Sequence, residues 1–134
     1  MKPALFLILA AAAAAAPRSV WDGVYSTDQA ARGQKLYVAQ CVKCHGEDLR
    51  GGPEDSPPLI EQSFLKRWHN KAVGRLVDAT RRTMPPDSPG ELSREQSTDI
   101  IAYLLSANGF PAGKTELPSD VASLREIMIE PKKE

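Results

Sequence analysis

Five consecutive residues, Cys41-Val42-Lys43-Cys44-His45, carry the most specific chemistry in the chain. They read as C-x-x-C-H, the covalent attachment spacing of a c-type haem. Two thiols at this spacing reach the two vinyl groups on one porphyrin edge, and the adjoining imidazole reaches the iron at the centre. On a helical turn, positions three and four apart share a face. Cys41, Cys44 and His45 therefore address one planar ligand. They include the only two cysteines of the chain.

Other uses of the same residues fit less well. A disulfide between Cys41 and Cys44 would close a loop too short to constrain much of the unfolded chain. A thioredoxin-like dithiol belongs in a βαβ setting, and no strand pattern surrounds this one. Zinc asks for about four ligands, and the chain offers two Cys and two His. Haem is the reading the residues favour.

A hexacoordinate iron needs a second axial ligand, and Met84 is the candidate. It lies in Thr83-Met84-Pro85-Pro86, 39 residues after His45, far enough for the chain to cross to the opposite porphyrin face. A methionine is more often a core gap-filler, but a core Met is seldom set in a loop beside two prolines. His69, in Arg67-Trp68-His69-Asn70-Lys71, has polar neighbours and reads as a surface histidine; Met128 sits in the tail. Trp68 has two open readings, an indole N–H donor to a haem propionate or a core side chain. A haem-ligating His usually donates its other ring N–H to a carbonyl, and the prolines after Ser56 are candidates to supply it.

Helices must position these residues. Thr27 reads as an N-cap with Asp28 in the first turn, opening a helix that runs into the haem motif. Gly33 and Tyr37 share one of its faces. A mid-helix Gly costs about 0.5–1 kcal/mol relative to Ala, so Gly33 suggests close approach of another backbone; drift that the fold tolerates is the alternative. Gly46 to Pro53 reads as a loop. Ser63 is expected to cap a short helix over Phe64 to His69, and Val73, Leu76, Val77 and Thr80 give helical periodicity over about Ala72 to Arg82. Ser93 and Gln96 form a capping box opening a helix from Arg94 to Ala107, which Asn108-Gly109 closes. Trp21 to Ser26 is expected to be extended and to lie over the domain. A short helix is expected from Ser119 or Asp120 to about Ile127, in a tail covering an edge of the fold.

At 134 residues the chain has the length of one domain, with 17 basic and 17 acidic groups. Residues 1–16 resemble a secretory signal: Lys2, the apolar run Leu5 to Leu9, then alanines offering A-x-A cleavage sites. An uncleaved anchor is the alternative, although the run is short for a span. Removing residues 1–16 takes away Lys2, leaving 16 basic against 17 acidic groups. No basic stripe suggests nucleic acid. Export suits the chemistry, since haem is attached to cysteines outside the bacterial cytoplasm.

From about Thr27 to Gly109 the chain resembles class I, single-haem cytochromes c. It is most similar to the periplasmic bacterial cytochromes that accompany quinoprotein dehydrogenases, through the run Ala107-Asn108-Gly109-Phe110-Pro111-Ala112-Gly113-Lys114-Thr115-Glu116-Leu117-Pro118. The resemblance implies an all-α cytochrome c fold, with N- and C-terminal helices crossing at Gly33, Tyr37 and Tyr103 and short helices around one covalently bound haem. With the signal read over residues 1–16, the chain divides into a domain over 17–109 with its core at about 27–109 and a C-terminal extension over 110–134. It assigns the carbonyl behind His45 to Pro57, a haem contact to Leu59 and the axial thioether to Met84. Metal ligands are then His45 and Met84. Cys41, Cys44, Pro57, Leu59 and Trp68 complete the haem site.

His/Met ligation leaves no open position on iron, and a Met ligand raises the potential. The implied function is one-electron transfer in the periplasm, not enzyme catalysis. The partners would be a dehydrogenase, an oxidase or a membrane complex, met by a monomer in small, short-lived contacts. A fixed haem subunit of a larger dehydrogenase is the alternative, favoured if Phe110 to Ile129 exposed apolar residues. A ligand-binding haem protein, with Met84 weakly bound or absent, is a third reading.

Overall fold

A single close crossing between two helices sets the arrangement. The computed structural model describes residues 18–52 and 56–133 with Met1 and Ile8, so the expected signal lies almost wholly outside the described residues. The helices are α1 (Thr27–Gln40), α2 (Val42–His45), α3 (Glu61–Trp68), α4 (Val73–Thr83), α5 (Arg94–Ala107) and α6 (Val121–Arg125). Two short strands, β1 (Arg18–Ser19) and β2 (Ile127–Met128), pair in parallel, with Arg18 opposite Ile127 and Ser19 opposite Met128. Apart from this strand pair the described elements are helical, as the expected all-α cytochrome c fold requires, and no described helix is long and apolar enough to cross a membrane.

Helices α1 and α5 touch backbone to backbone at Gly33. A Cβ built there would land on the carbonyl oxygen of Asp99 and crowd the Ile100 nitrogen. Gly33 thus faces Asp99, and Tyr103 lies one turn further on against Tyr37, with ring centroids 5.3 Å apart. The expected crossing is present, with a one-turn offset between Gly33 and Tyr103. At the periphery Arg32 bridges Asp99 and Glu116. Arg32 and Glu116 are about half exposed and only Asp99 is largely covered, so the pairs fix orientation more than they stabilise.

Several helix starts differ from expectation. Ser26, not Thr27, caps α1: its hydroxyl accepts from the Gln29 N–H at 3.1 Å. Thr27 sits one residue too far into the first turn for that bond. Ser63 caps nothing, because α3 begins at Glu61 and its first N–H meets the Asn108 Oδ1 at 2.8 Å. The cap therefore arrives from 47 residues away. Ser93 and Gln96 do form the capping box of α5. Residues 20–22 form a 3-10 turn where extended chain was expected, boxed by Ser19 and Asp22.

The C-terminal residues enter the core. Phe110, Leu117, Leu124, Ile127 and Ile129 are each at most 3% exposed and belong to one cluster with Val20, Val24, Tyr37, Phe64 and Leu105. Backbone and side-chain hydrogen bonds stitch this tail to the N-terminal segment. Arg18 N–H reaches the Glu126 carbonyl at 2.8 Å and Gly113 N–H reaches the Tyr25 carbonyl at 2.7 Å. The buried Gln29 amide both donates to the Leu117 carbonyl and accepts its N–H, at 3.1 and 2.7 Å. Ile129 pairs with Asn70 and Lys71 between α3 and α4.

Gly33→Ala should lower the stability of the haem-loaded protein by about 1–3 kcal/mol, the overpacking range, seen as a drop in the urea midpoint. Leu124→Ala, at a fully buried position of the tail, should cost about 2–5 kcal/mol. Val121→Ala on the exposed side of the same helix should change stability by less than about 0.5 kcal/mol. Equal, small effects from the two tail variants would mean that the tail is not part of the core.

Candidate haem site

The C-x-x-C-H turn begins where α1 ends. Cys41 terminates α1, its N–H bonding the Tyr37 carbonyl, and also precedes α2. The Cys41 carbonyl accepts from the N–H groups of Cys44 and His45 at 3.2 and 2.9 Å. One turn thus carries all three residues. Both cysteines are free thiols, and burial, then the adjacent Cys44, pushes the Cys41 thiol up to about 11. Among the described residues no three His, Cys, Asp or Glu side chains gather as a metal cage.

His45 is 8% exposed, and its Nδ1 lies 3.0 Å from the Pro57 carbonyl. A carbonyl only accepts, so Nδ1 carries the proton and Nε2 keeps its lone pair. That is the tautomer a metal-ligating imidazole adopts. The loop returning from His45 packs backbone against backbone. Gly51 N–H reaches the His45 carbonyl at 2.9 Å, and Leu59 N–H reaches the Leu49 carbonyl at 2.8 Å. A Cβ on Gly52 would stand 2.6 Å from the Cys44 carbonyl oxygen, so this position has no room for a side chain. The Tyr37 hydroxyl donates to the Gly46 carbonyl at 2.7 Å, and burial holds that phenol protonated well above its usual range.

Asn108 fixes the segment that carries Pro57. Its amide donates to the Leu59 carbonyl at 3.1 Å and the Leu104 carbonyl at 2.8 Å while its oxygen holds Glu61. Glu61 has a left-handed φ of 59°, a conformation uncommon for a side-chain-bearing residue, and Arg50 grips its carboxylate at 2.7 Å. From sequence alone Asn108 looks like a helix end and nothing more. The only local hint was an Asn where its side chain had no need to face solvent.

The other expected residues lie just before α3 and at the C-terminal ends of α3 and α4. Leu59 and Trp68 are half-buried and pack against the hydrophobic cluster. Arg67 and Lys71 lie over the Trp68 ring at 5.8 and 5.3 Å. Met84 is half-buried at the end of α4, its N–H bonded to the Thr80 carbonyl at 3.0 Å. His69 is exposed, as its polar neighbours suggest.

A haem suits this donor set. Two unpaired thiols, an imidazole presenting Nε2 and a thioether are the groups its vinyls and iron require. Arg81, three residues before Met84, has a buried Nε without any partner, the sole such side-chain atom among the described residues. An anionic group such as a propionate would satisfy it. From sequence alone Arg81 looks like any cation near a helix C-terminus.

Comparison with known proteins identifies the family. Residues 28–104 match the family model described as "Cytochrome C oxidase, cbb3-type, subunit III". The chain belongs to this cytochrome c family. The family carries covalently attached haem c and transfers electrons, and Cys41 and Cys44 are the only thiols this cytochrome has for the attachment. It is 29% identical over 80 residues to the "Cbb3-type cytochrome c oxidase subunit CcoP" of Rubrivivax gelatinosus, covering 59% of this chain and 26% of that one. It is 30% identical over 94 residues to the "Cytochrome bc1 complex cytochrome c subunit" of Corynebacterium diphtheriae, covering 68% and 31%. The chain thus spans about a quarter to a third of the length of these relatives. A chain of the sulfane dehydrogenase SoxCD from Paracoccus pantotrophus overlays with a TM-score of 0.48 at 27% identity, over 67% of this chain and 53% of that one.

Asn108→Ala should cost about 2 kcal/mol in urea unfolding, because it leaves the Leu59 carbonyl and the Glu61 N–H without partners. Amide exchange at Glu61 should quicken with it. Unchanged exchange there would mean that Asn108 does not hold the segment.

Proposed function

We propose that this chain is a periplasmic one-electron carrier, with His45 and Met84 as axial ligands of a haem bound through Cys41 and Cys44. The observation that carries the proposal is the hydrogen bond from buried His45 to the Pro57 carbonyl on a C-x-x-C-H turn. It leaves Nε2 as the one free lone pair of the imidazole and fixes the ring. The cofactor supplies one-electron exchange at iron. The polypeptide supplies the fixed imidazole, an apolar surround that penalises the extra charge of the oxidised form, and a thioether that favours the reduced form. Leu59 is carried on the segment that His45 and Asn108 anchor, and there it serves as the haem contact.

A second reading has a specific observation behind it. The relatives named above are subunits of respiratory complexes, so the chain could serve as the haem module of a larger assembly that includes a dehydrogenase or oxidase. The large apolar side chains of the tail are buried or half-buried, with Val121 the exception at 39% exposure. That favours contacts that form and dissolve.

The deciding measurement is the visible spectrum of the reduced protein before and after carbon monoxide. Carrier function predicts a low-spin spectrum that the gas leaves alone. Met84→Ala should bind the gas and lower the potential by on the order of 0.1 V, within the roughly 0.8 V over which axial ligands move haem. A wild-type protein that takes up carbon monoxide rapidly would favour the ligand-binding reading instead.

A further inference from the structure

The balanced net charge conceals a strong separation. Residues 66–82 hold Lys66, Arg67, Lys71, Arg75, Arg81 and Arg82 against the single Asp78, a sum of +5, and the remaining 11 basic and 16 acidic groups sum to −5. Asp78 does little to offset its neighbours, since it is paired with Arg94 at 3.2 Å. Four of the cations, Arg67, Lys71, Arg75 and Arg82, line a groove of roughly 390 Å³ between α3 and α4, together with Trp68 and Asp78. All four cations are exposed. Trp68 forms an apolar floor, with Arg67 and Lys71 stacked over its ring.

We propose that this groove is the docking surface for an acidic protein, the redox partner of the carrier. The inference rests on the carrier reading above and names the chemistry of its partner. Thr83 lines the groove, and the next residue is Met84, so a partner seated there lies beside the loop assigned to the iron. Four uncompensated cations on two adjoining helices act through their summed field, which speeds encounter and aligns the partner more than it tightens binding. A lipid surface fits less well, because surface-binding helices join cations to exposed apolar side chains. The exposed large apolar residues among those described are Met1, Ile8, Val38 and Val121, none of which lines the groove. A small anion also fits less well, since every cation here stands in water and none forms an enclosed cage.

The test titrates reduced, haem-loaded protein with poly-L-glutamate as a model acidic surface, following the Trp68 indole N–H by nitrogen-15 NMR. The resonance should shift, and the shift should be lost when ionic strength rises from about 0.01 to 0.15 M, as the Debye length falls from about 30 to 8 Å. The Lys71→Glu/Arg75→Glu variant should bind at least about tenfold more weakly. The neutral Lys71→Gln/Arg75→Gln pair should fall between it and wild type. Reversing Lys35 and Lys114, exposed on other parts of the surface, should change affinity by less than about twofold. Equal losses from both reversals would overturn the proposal. So would binding of inorganic phosphate as tight as that of the polymer, or binding to phosphatidylglycerol vesicles without binding to the polymer. A carbon monoxide-reactive protein would sink the carrier reading on its own, whereas a failed titration with a normal spectrum would sink only the docking surface.

Discussion

The absence of a side chain at Gly33 is the constraint from which the rest of the geometry follows. Because α1 and α5 meet there with no atom to spare, their approach is fixed at that point. The consequences run along both helices in register. One turn past the contact, Tyr37 meets Tyr103. Beyond that, α1 ends in Cys41 and the haem turn, and α5 ends in Asn108. Tyr37 holds the carbonyl of Gly46 just after His45, and Asn108 holds Leu59 just after Pro57. The two ends of one crossing thus grip both sides of the His45–Pro57 hydrogen bond. An imidazole fixed in this way changes little when its surroundings gain or lose one charge, which is what an electron carrier requires of its ligand.

What the sequence disclosed was what neighbouring residues decide. The C-x-x-C-H turn, the Ser93–Gln96 box and the apolar spacing of α4 are each complete within a few positions, and each has its counterpart in the fold. The start of α3 was illegible for a definite reason. Ser63 has the right chemistry for a cap, but Asn108 satisfies the first N–H two residues earlier, and no local pattern carries that information. Ser26 and Thr27 are both good caps, and one residue of phase chose between them. The tail was harder still. Its apolar residues are too sparse for a long helix, and what buries them is packing against residues 18–29, about a hundred positions away, and against residues 70–74.

Arg81 and Asn108 illustrate the same limit from the functional side. An Arg near a helix C-terminus and an Asn at a helix end are both adequately explained by local rules, so neither stood out. Only burial separates them from their neighbours: the Arg81 Nε has no partner, and the Asn108 amide has three. Polar atoms inside a fold are costly without partners, so an orphan points to something absent from the polypeptide and a saturated amide points to a held segment.

The placement of apolar surface bears on how the protein meets others. A stable interface needs a contiguous, well-packed area, commonly about 800 Å² from each partner. Here the tail takes up Phe110, Leu117, Leu124, Ile127 and Ile129 internally, and the large apolar residues left exposed on the described surface are scattered. Recognition then falls to charge, which in this chain is concentrated between residues 66 and 82 and opposed elsewhere. Charge acts over a Debye length, orients an approaching molecule and releases it readily. A contact of that kind allows rapid turnover of partners, and a folded-in tail keeps the surface free of competing apolar adhesion.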